Sequence, residues 1–171
     1  MGYFVFISYR SKNQAFADKL KAQIEETYGI HIFLSSHPKD GTTVGHDFYI
    51  ELQKHIDQSS VIIICLSKAW LKSDYCQDEF RLARYFNKPI LPVVLDSLES
   101  NEDLKSFIEK QIGSNTYADF SINGKNAIRK LLHSLDTYIR FDEYKRQAYG
   151  FQGNNPYKEL SGYMEKDAAV Y

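Results

Sequence analysis

The clearest candidate for chemistry is Glu79, in the stretch Ser73-Asp74-Tyr75-Cys76-Gln77-Asp78-Glu79-Phe80. Asp74 followed three residues later by Gln77 has the form of a capping box, which predicts a helix from there to about Asn87. On that helix Tyr75, Glu79, Leu82 and Phe86 share one stripe, and Cys76, Phe80 and Ala83 form an apolar stripe beside it. A carboxylate in such company has two readings. Either its tip reaches water at the edge of the apolar face, or it has a partner or a task, because burying it unpaired is costly.

The surrounding elements decide what could meet Glu79. Tyr3 to Ser8 is a short apolar run read as a buried strand. Phe16, Leu20, Ile24 and Tyr28 recur at helical spacing, and Gly29 closes that helix. His31 to Leu34 is a second strand, followed by a loop from Ser35 to about His46 that carries Pro38, Gly41 and Gly45. Phe48, Leu52 and Ile56 mark a second helix, with Asp47 near its positive end. Val61 to Leu66 is the most apolar stretch and the expected central strand. Pro89 to Leu95 is the fourth strand, and its two prolines suggest that the N-terminal half lies outside the regular ladder. Leu104, Phe107 and Ile108 imply a short helix, residues 116–120 a weak fifth strand, and Ile128, Leu131, Leu132, Leu135 and Ile139 a last helix.

Strands that alternate with helices and are apolar on both faces argue for an open parallel α/β sheet covered on both sides. Ligands of such sheets bind beyond the carboxyl ends of the strands, where strand order reverses. If the order is 2-1-3-4-5, Ser8-Tyr9-Arg10 after the first strand and Ser67-Lys68-Ala69-Trp70 after the third border one crevice. The Glu79 helix overlooks the same place, so a carboxylate, a guanidinium, hydroxyls and aromatic faces converge there.

Composition narrows the classes. A chain of 171 residues supports one domain with a full layered core. The net charge of -1, with no basic stripe, argues against a nucleic-acid binder. No apolar run approaches a membrane span and no secretory signal is present, so the expected location is cytoplasmic, with no membrane partner. Cys65 and Cys76 fit a reduced protein better than a disulfide scaffold. The five histidines show no ligand spacing, so no metal site is expected. Beyond residue 141 the apolar period fades, and 141–171 is read as an aromatic-rich extension of a domain spanning 1–140.

Familiar occupants of this architecture fail on their motifs. Ser8 to Asn13 contains no glycine, against a dinucleotide-binding turn or a flavodoxin phosphate loop, and Gly124-Lys125-Asn126 lacks the hydroxyl residue of a phosphate-cradling loop. A phospho-receiver needs an aspartate where the third strand ends in Leu66-Ser67.

Taken together, Phe6-Ile7-Ser8-Tyr9-Arg10, Ile32-Phe33-Leu34 with its long following loop, Ser67 with Asp74 to Phe80, and Lys88-Pro89-Ile90-Leu91-Pro92-Val93 resemble a TIR (Toll/interleukin-1 receptor) domain over roughly residues 3 to 140. The order and spacing of these segments carry the resemblance. It implies a flavodoxin-like three-layer α/β sandwich with a five-stranded parallel sheet of order 2-1-3-4-5. It also implies one of two roles, a scaffold that assembles with other TIR domains or an enzyme that cleaves NAD+ between nicotinamide and ribose. In enzymatic members the catalytic glutamate stands four residues after an aromatic, which here gives Glu79 and Tyr75. The remaining substrate-binding positions implied are Tyr9, Arg10, Phe33, Ser35, Gly45 and Ser67. Many members carry an aspartate where this chain has Ser35, and the 35–46 loop is a few residues longer than in many relatives and carries His37 and His46.

One glutamate suffices for that reaction. Nicotinamide is bound to ribose as a cationic pyridinium and leaves neutral, so no general acid is required. What needs help is the oxocarbenium-like charge developing on the ribose, which a carboxylate in a partly dry pocket stabilises. Tyr75 could stack on a substrate ring, and Arg10 could meet phosphate oxygens or orient Glu79. Trp70, the sole tryptophan, is expected to anchor its loop by core packing, and Ser67 has the simpler reading of a turn hydroxyl. The resemblance thus implies an NAD+ glycohydrolase or cyclase of bacterial anti-phage signalling. NAD+ is its substrate, no cofactor is needed, and the partners are other TIR copies and an effector that senses a nucleotide product. A non-catalytic TIR scaffold is the alternative, and a nucleoside deoxyribosyltransferase-like enzyme a distant one.

Overall fold

The computed structural model describes residues 4–35, 46–113 and 117–150, side chains excepted at 46, 47 and 145–150. In chain order the elements are β1 (Val5–Ser8), α1 (Gln14–Tyr28), β2 (Ile32–Leu34), α2 (His46–Gln58), β3 (Val61–Leu66) and α3 (Lys68–Leu71). Then come α4 (Asp74–Tyr85), β4 (Ile90–Val94), α5 (Glu102–Phe107), β5 (Ala118–Asp119) and α6 (Gly124–Gly150). The five strands form one sheet of order β2-β1-β3-β4-β5, parallel at every pairing. The expected order 2-1-3-4-5 is observed.

Sequence chemistry accounts for these elements. All of β1 and β3 is buried, as continuous apolar strands with helices on both faces must be. Along α1, Ala17, Leu20 and Ile24 face the core. Gly29 ends that helix at φ +63°, a left-handed cap that a Cβ would disfavour, and its amide reaches Glu25 O. Leu52 and Ile56 seat α2, and Ala127 and Leu131 seat the first half of α6.

Three details differ from the sequence expectation. The whole of β4, from Ile90 to Val94, lies in register with β3, so its N-terminal half is not outside the ladder. The Leu95 amide bonds Leu66 O, and alternation then turns the amide position of Pro92 toward the β5 side. Pairing there begins only at Val93, so the missing N–H of Pro92 removes no ladder bond. The cap of α4 is Ser73, with extended backbone and its Oγ accepting the Cys76 amide at 3.2 Å, while Asp74 is the first helical residue. Gln77 is engaged elsewhere, donating to Leu71 O at 3.2 Å. Finally, α5 continues as a π-helical turn over Ile108–Ile112 before Gly113.

The compact unit that holds the sheet ends at Leu132, and His133 onward belongs to a second unit into which α6 continues. The tyrosine-rich segment 151–171 lies outside the described residues, as do Gly45, His37 and most of the 35–46 loop. Among the described residues, no helix is long and apolar enough to cross a membrane.

Candidate active site

Glu79 lies on the inner face of α4 and is completely buried, at 0% exposure. The reading in which its tip reaches water at the helix edge is therefore excluded in this structure. Three elements surround the carboxyl group. From the end of β1, Ser8 Oγ donates to Glu79 Oε1 at 2.9 Å. From α3, Trp70 Nε1 donates to Ser8 Oγ at 3.0 Å. Just past β2, Ser35 is fully buried, its amide on Ile7 O and its Oγ donating to the Tyr75 hydroxyl at 3.4 Å. The second carboxyl oxygen, Glu79 Oε2, has no hydrogen-bond partner among the described residues.

The electrostatics follow from this enclosure. Burial pushes the Glu79 carboxyl up to about 8, and the nearby Ser35 hydroxyl, together with the Ser8 hydroxyl bonded to Oε1, draws it partly back down. Burial, and then the neighbouring Glu79 charge, raise the Tyr75 phenol well above its ordinary range. The same two causes push the Cys76 thiol up to about 12, which makes it inert as a nucleophile at neutral pH.

The expected site residues divide into two sets. Glu79, Ser35 and Tyr75 stand together, and Ser8 joins them. Phe33 is stacked on His55, ring centroids 4.0 Å apart, and on Phe6 at 5.3 Å, and it packs against the core. Arg10 turns to the start of α4, donating from Nη1 to Ser73 Oγ at 3.3 Å, so it holds the helix cap and not Glu79 itself. Tyr9 is buried with its hydroxyl donating to Gln14 Oε1 at 2.8 Å. Ser67 caps α3, its Oγ accepting the Trp70 amide at 3.0 Å. Gly45 lies outside the described residues.

Four residues around this site were not singled out as functional from the sequence. Ser8 holds Oε1 and Trp70 donates to Ser8, while Phe48 leans on Tyr75 at 5.2 Å and His55 backs Phe33. Ser8 and Trp70 are 62 positions apart, so no local pattern reveals their hydrogen bond. Among the described residues, no group of three or more His, Cys, Asp or Glu could hold a metal ion. A cavity of about 340 Å³, lined by Tyr117, Asp119, Asn126 and Lys130 among others, lies at the start of α6 and contains none of the expected site residues.

A family model described as the TIR domain matches residues 5–132, three quarters of the chain. The chain belongs to the TIR domain family. Solved structures agree with that assignment at the level of the fold. The TIR domain of the Toll-related receptor TRR-2 from Hydra magnipapillata aligns with a TM-score of 0.58 at 20% identity, over 81% of this chain and 98% of that one. The TIR domains of the activated Roq1 resistosome, which directly recognises the pathogen effector XopQ, align with a TM-score of 0.54 at 20% identity, over 80% and 99%. No curated protein matches this TIR chain in sequence.

Proposed function

We propose that this TIR domain is an NAD+ nucleosidase that breaks the bond between nicotinamide and ribose, with Glu79 as its catalytic residue. One observation carries the reading. A carboxyl group at the carboxyl end of the sheet is fully enclosed, held through one oxygen and left with the other unpartnered. A structural glutamate in that position would be expected to have both oxygens satisfied, and strongly perturbed carboxyls in such places are frequently functional.

The mechanism uses the cationic leaving group. Bound beside Glu79, the nicotinamide cation favours the carboxylate over the acid. As the bond to nicotinamide lengthens, its electrons leave with the neutral ring and positive charge grows on the ribose, where Glu79 Oε2 can stabilise it. Water then gives ADP-ribose, or attack by the adenine of the same molecule gives a cyclic isomer. Tyr75 and Phe33 supply aromatic walls for the substrate. Because Glu79 and Ser35 have no exposure, substrate entry requires the side chains around them to move apart. That requirement fits an enzyme switched on by a trigger or by assembly with other TIR copies, as part of bacterial anti-phage signalling with a downstream nucleotide sensor. The similarity to TIR domains of a resistosome supports a role within an assembly.

The second reading is a scaffold without catalysis, and the same complete enclosure of Glu79 favours it. Chromatography of NAD+ incubated with concentrated protein separates the two. Wild type should release nicotinamide, and Glu79→Ala should lose roughly 10²-fold or more of that rate. Equal release by both proteins would remove Glu79 from the reaction, and release by neither would leave the scaffold.

A further inference from the structure

We propose that Trp70 and Ser8 are positioning residues for Glu79: the indole N–H fixes the direction of the Ser8 hydroxyl, which ties down Oε1 and leaves Oε2 as the working oxygen. This rests on the proposed role of Glu79.

The argument is one of donor and acceptor capacity. An indole Nε1–H can only donate, so in the 3.0 Å contact Ser8 Oγ must accept. A serine hydroxyl has a single proton, and its near acceptor is Glu79 Oε1 at 2.9 Å. The chain of bonds therefore has one sense, Trp70 to Ser8 to Glu79, and delivers a hydrogen bond to the carboxyl group whether or not that group is ionised. With Oε1 so occupied, the acid proton resides on Oε2, which has no acceptor in reach among the described residues. Ionisation then places the unshielded share of the charge on Oε2. A hydroxyl whose oxygen already accepts a bond is also the stronger donor.

The three parts are rigidly held. Ser8 is the last residue of β1, paired in register with Ile64 of β3. Trp70 is buried on the single turn of α3, which Ser67 caps, and its ring meets Phe107 at 5.6 Å and Phe80 at 6.2 Å, both edge-on. Ser8 and Trp70 have no exposure at all, so water cannot replace either bond. Core packing alone would be satisfied by phenylalanine at 70; the buried N–H is the additional feature.

The test reads the carboxyl group directly and needs no substrate. The full-length chain is labelled at the glutamate side-chain carboxyl carbon, the Glu79 signal is assigned by its absence in Glu79→Gln, and its titration is followed by NMR in wild type, Ser8→Ala and Trp70→Phe. Removing the donor should lower the acid dissociation constant of Glu79 about tenfold in Ser8→Ala and about threefold in Trp70→Phe, as expected for losing or loosening one hydrogen bond to an anion. Folding is checked by circular dichroism, and should Trp70→Phe not fold, Ser8→Ala alone decides. Unchanged titration in folded Ser8→Ala would overturn the proposal, and a shift there with none in folded Trp70→Phe would overturn the part assigned to Trp70. If wild type releases nicotinamide, both variants should lower kcat with KM little changed and move the pH profile to higher pH. If it does not, shifted titrations would uphold the positioning while the proposed reaction fails.

Discussion

At Glu79 the environment and the acid–base behaviour are one fact seen twice. The carboxyl is held near pKa 8 by burial, against an ordinary value of 4.5. Between those values the folded protein keeps a proton that the unfolded chain gives up, so stability falls as pH rises through that window and levels off above it. Glu79→Gln has no proton to lose. Its thermal midpoint should therefore fall less than that of wild type between pH 5 and 8.5, by several °C for a difference on the order of a few kcal/mol, as read by calorimetry. Parallel curves for the two proteins would mean that Glu79 is not held neutral. The same shift bears on catalysis. If the proposed reaction takes place, its rate at low NAD+ should climb with pH through a limb near 8, because that reaction needs the anion. Which side of α4 faces inward was legible from the apolar stripe Cys76, Phe80 and Ala83, all of them buried. That Glu79 is sealed, and bonded through one oxygen only, was not, because Ser8 lies 71 positions away along the chain.

Ser73 shows how a short element controls the site's geometry. Its hydroxyl accepts both the Cys76 amide and Arg10 Nη1, so it joins the loop after β1 to the start of α4. Ser73→Ala should cost about 1–2 kcal/mol in denaturant unfolding and speed amide exchange at residues 75–77, since a buried cap and a cation's acceptor vanish together. No change in either measurement would mean that the cap is not stabilising. From sequence, Asp74 with Gln77 had the stronger capping-box signature. Backbone geometry favoured Ser73 because its extended conformation points Oγ at the first free amides, while Gln77 turns back to Leu71 O. At β4 the prolines argued that the N-terminal half lies outside the ladder, yet all of Ile90–Val94 is paired with β3, because β5 is too short to require the Pro92 amide.

At the scale of the whole molecule, the family assignment and the enclosed Glu79 lead to one expectation. If enclosure is relieved by contact with other TIR copies, nicotinamide released per molecule should rise with protein concentration, in step with the size measured by light scattering. A rate per molecule that stays flat while the protein associates would separate activation from assembly. The architecture itself was legible in the sequence. Apolar runs such as Val61–Leu66, alternating with helical stripes such as Leu20 and Ile24, admit few arrangements other than a parallel sheet covered on both faces, and local pattern is sufficient for that because each element's own period reports its burial. The polar contacts that make a site of this fold were a different matter. Whether Arg10 meets Glu79 or Ser73, whether Trp70 is packing alone or a donor to Ser8, and which carboxyl oxygen stays unpartnered all depend on angles and distances between segments far apart in the chain. A hydrogen bond requires about 3 Å and a direction, and periodicity carries neither.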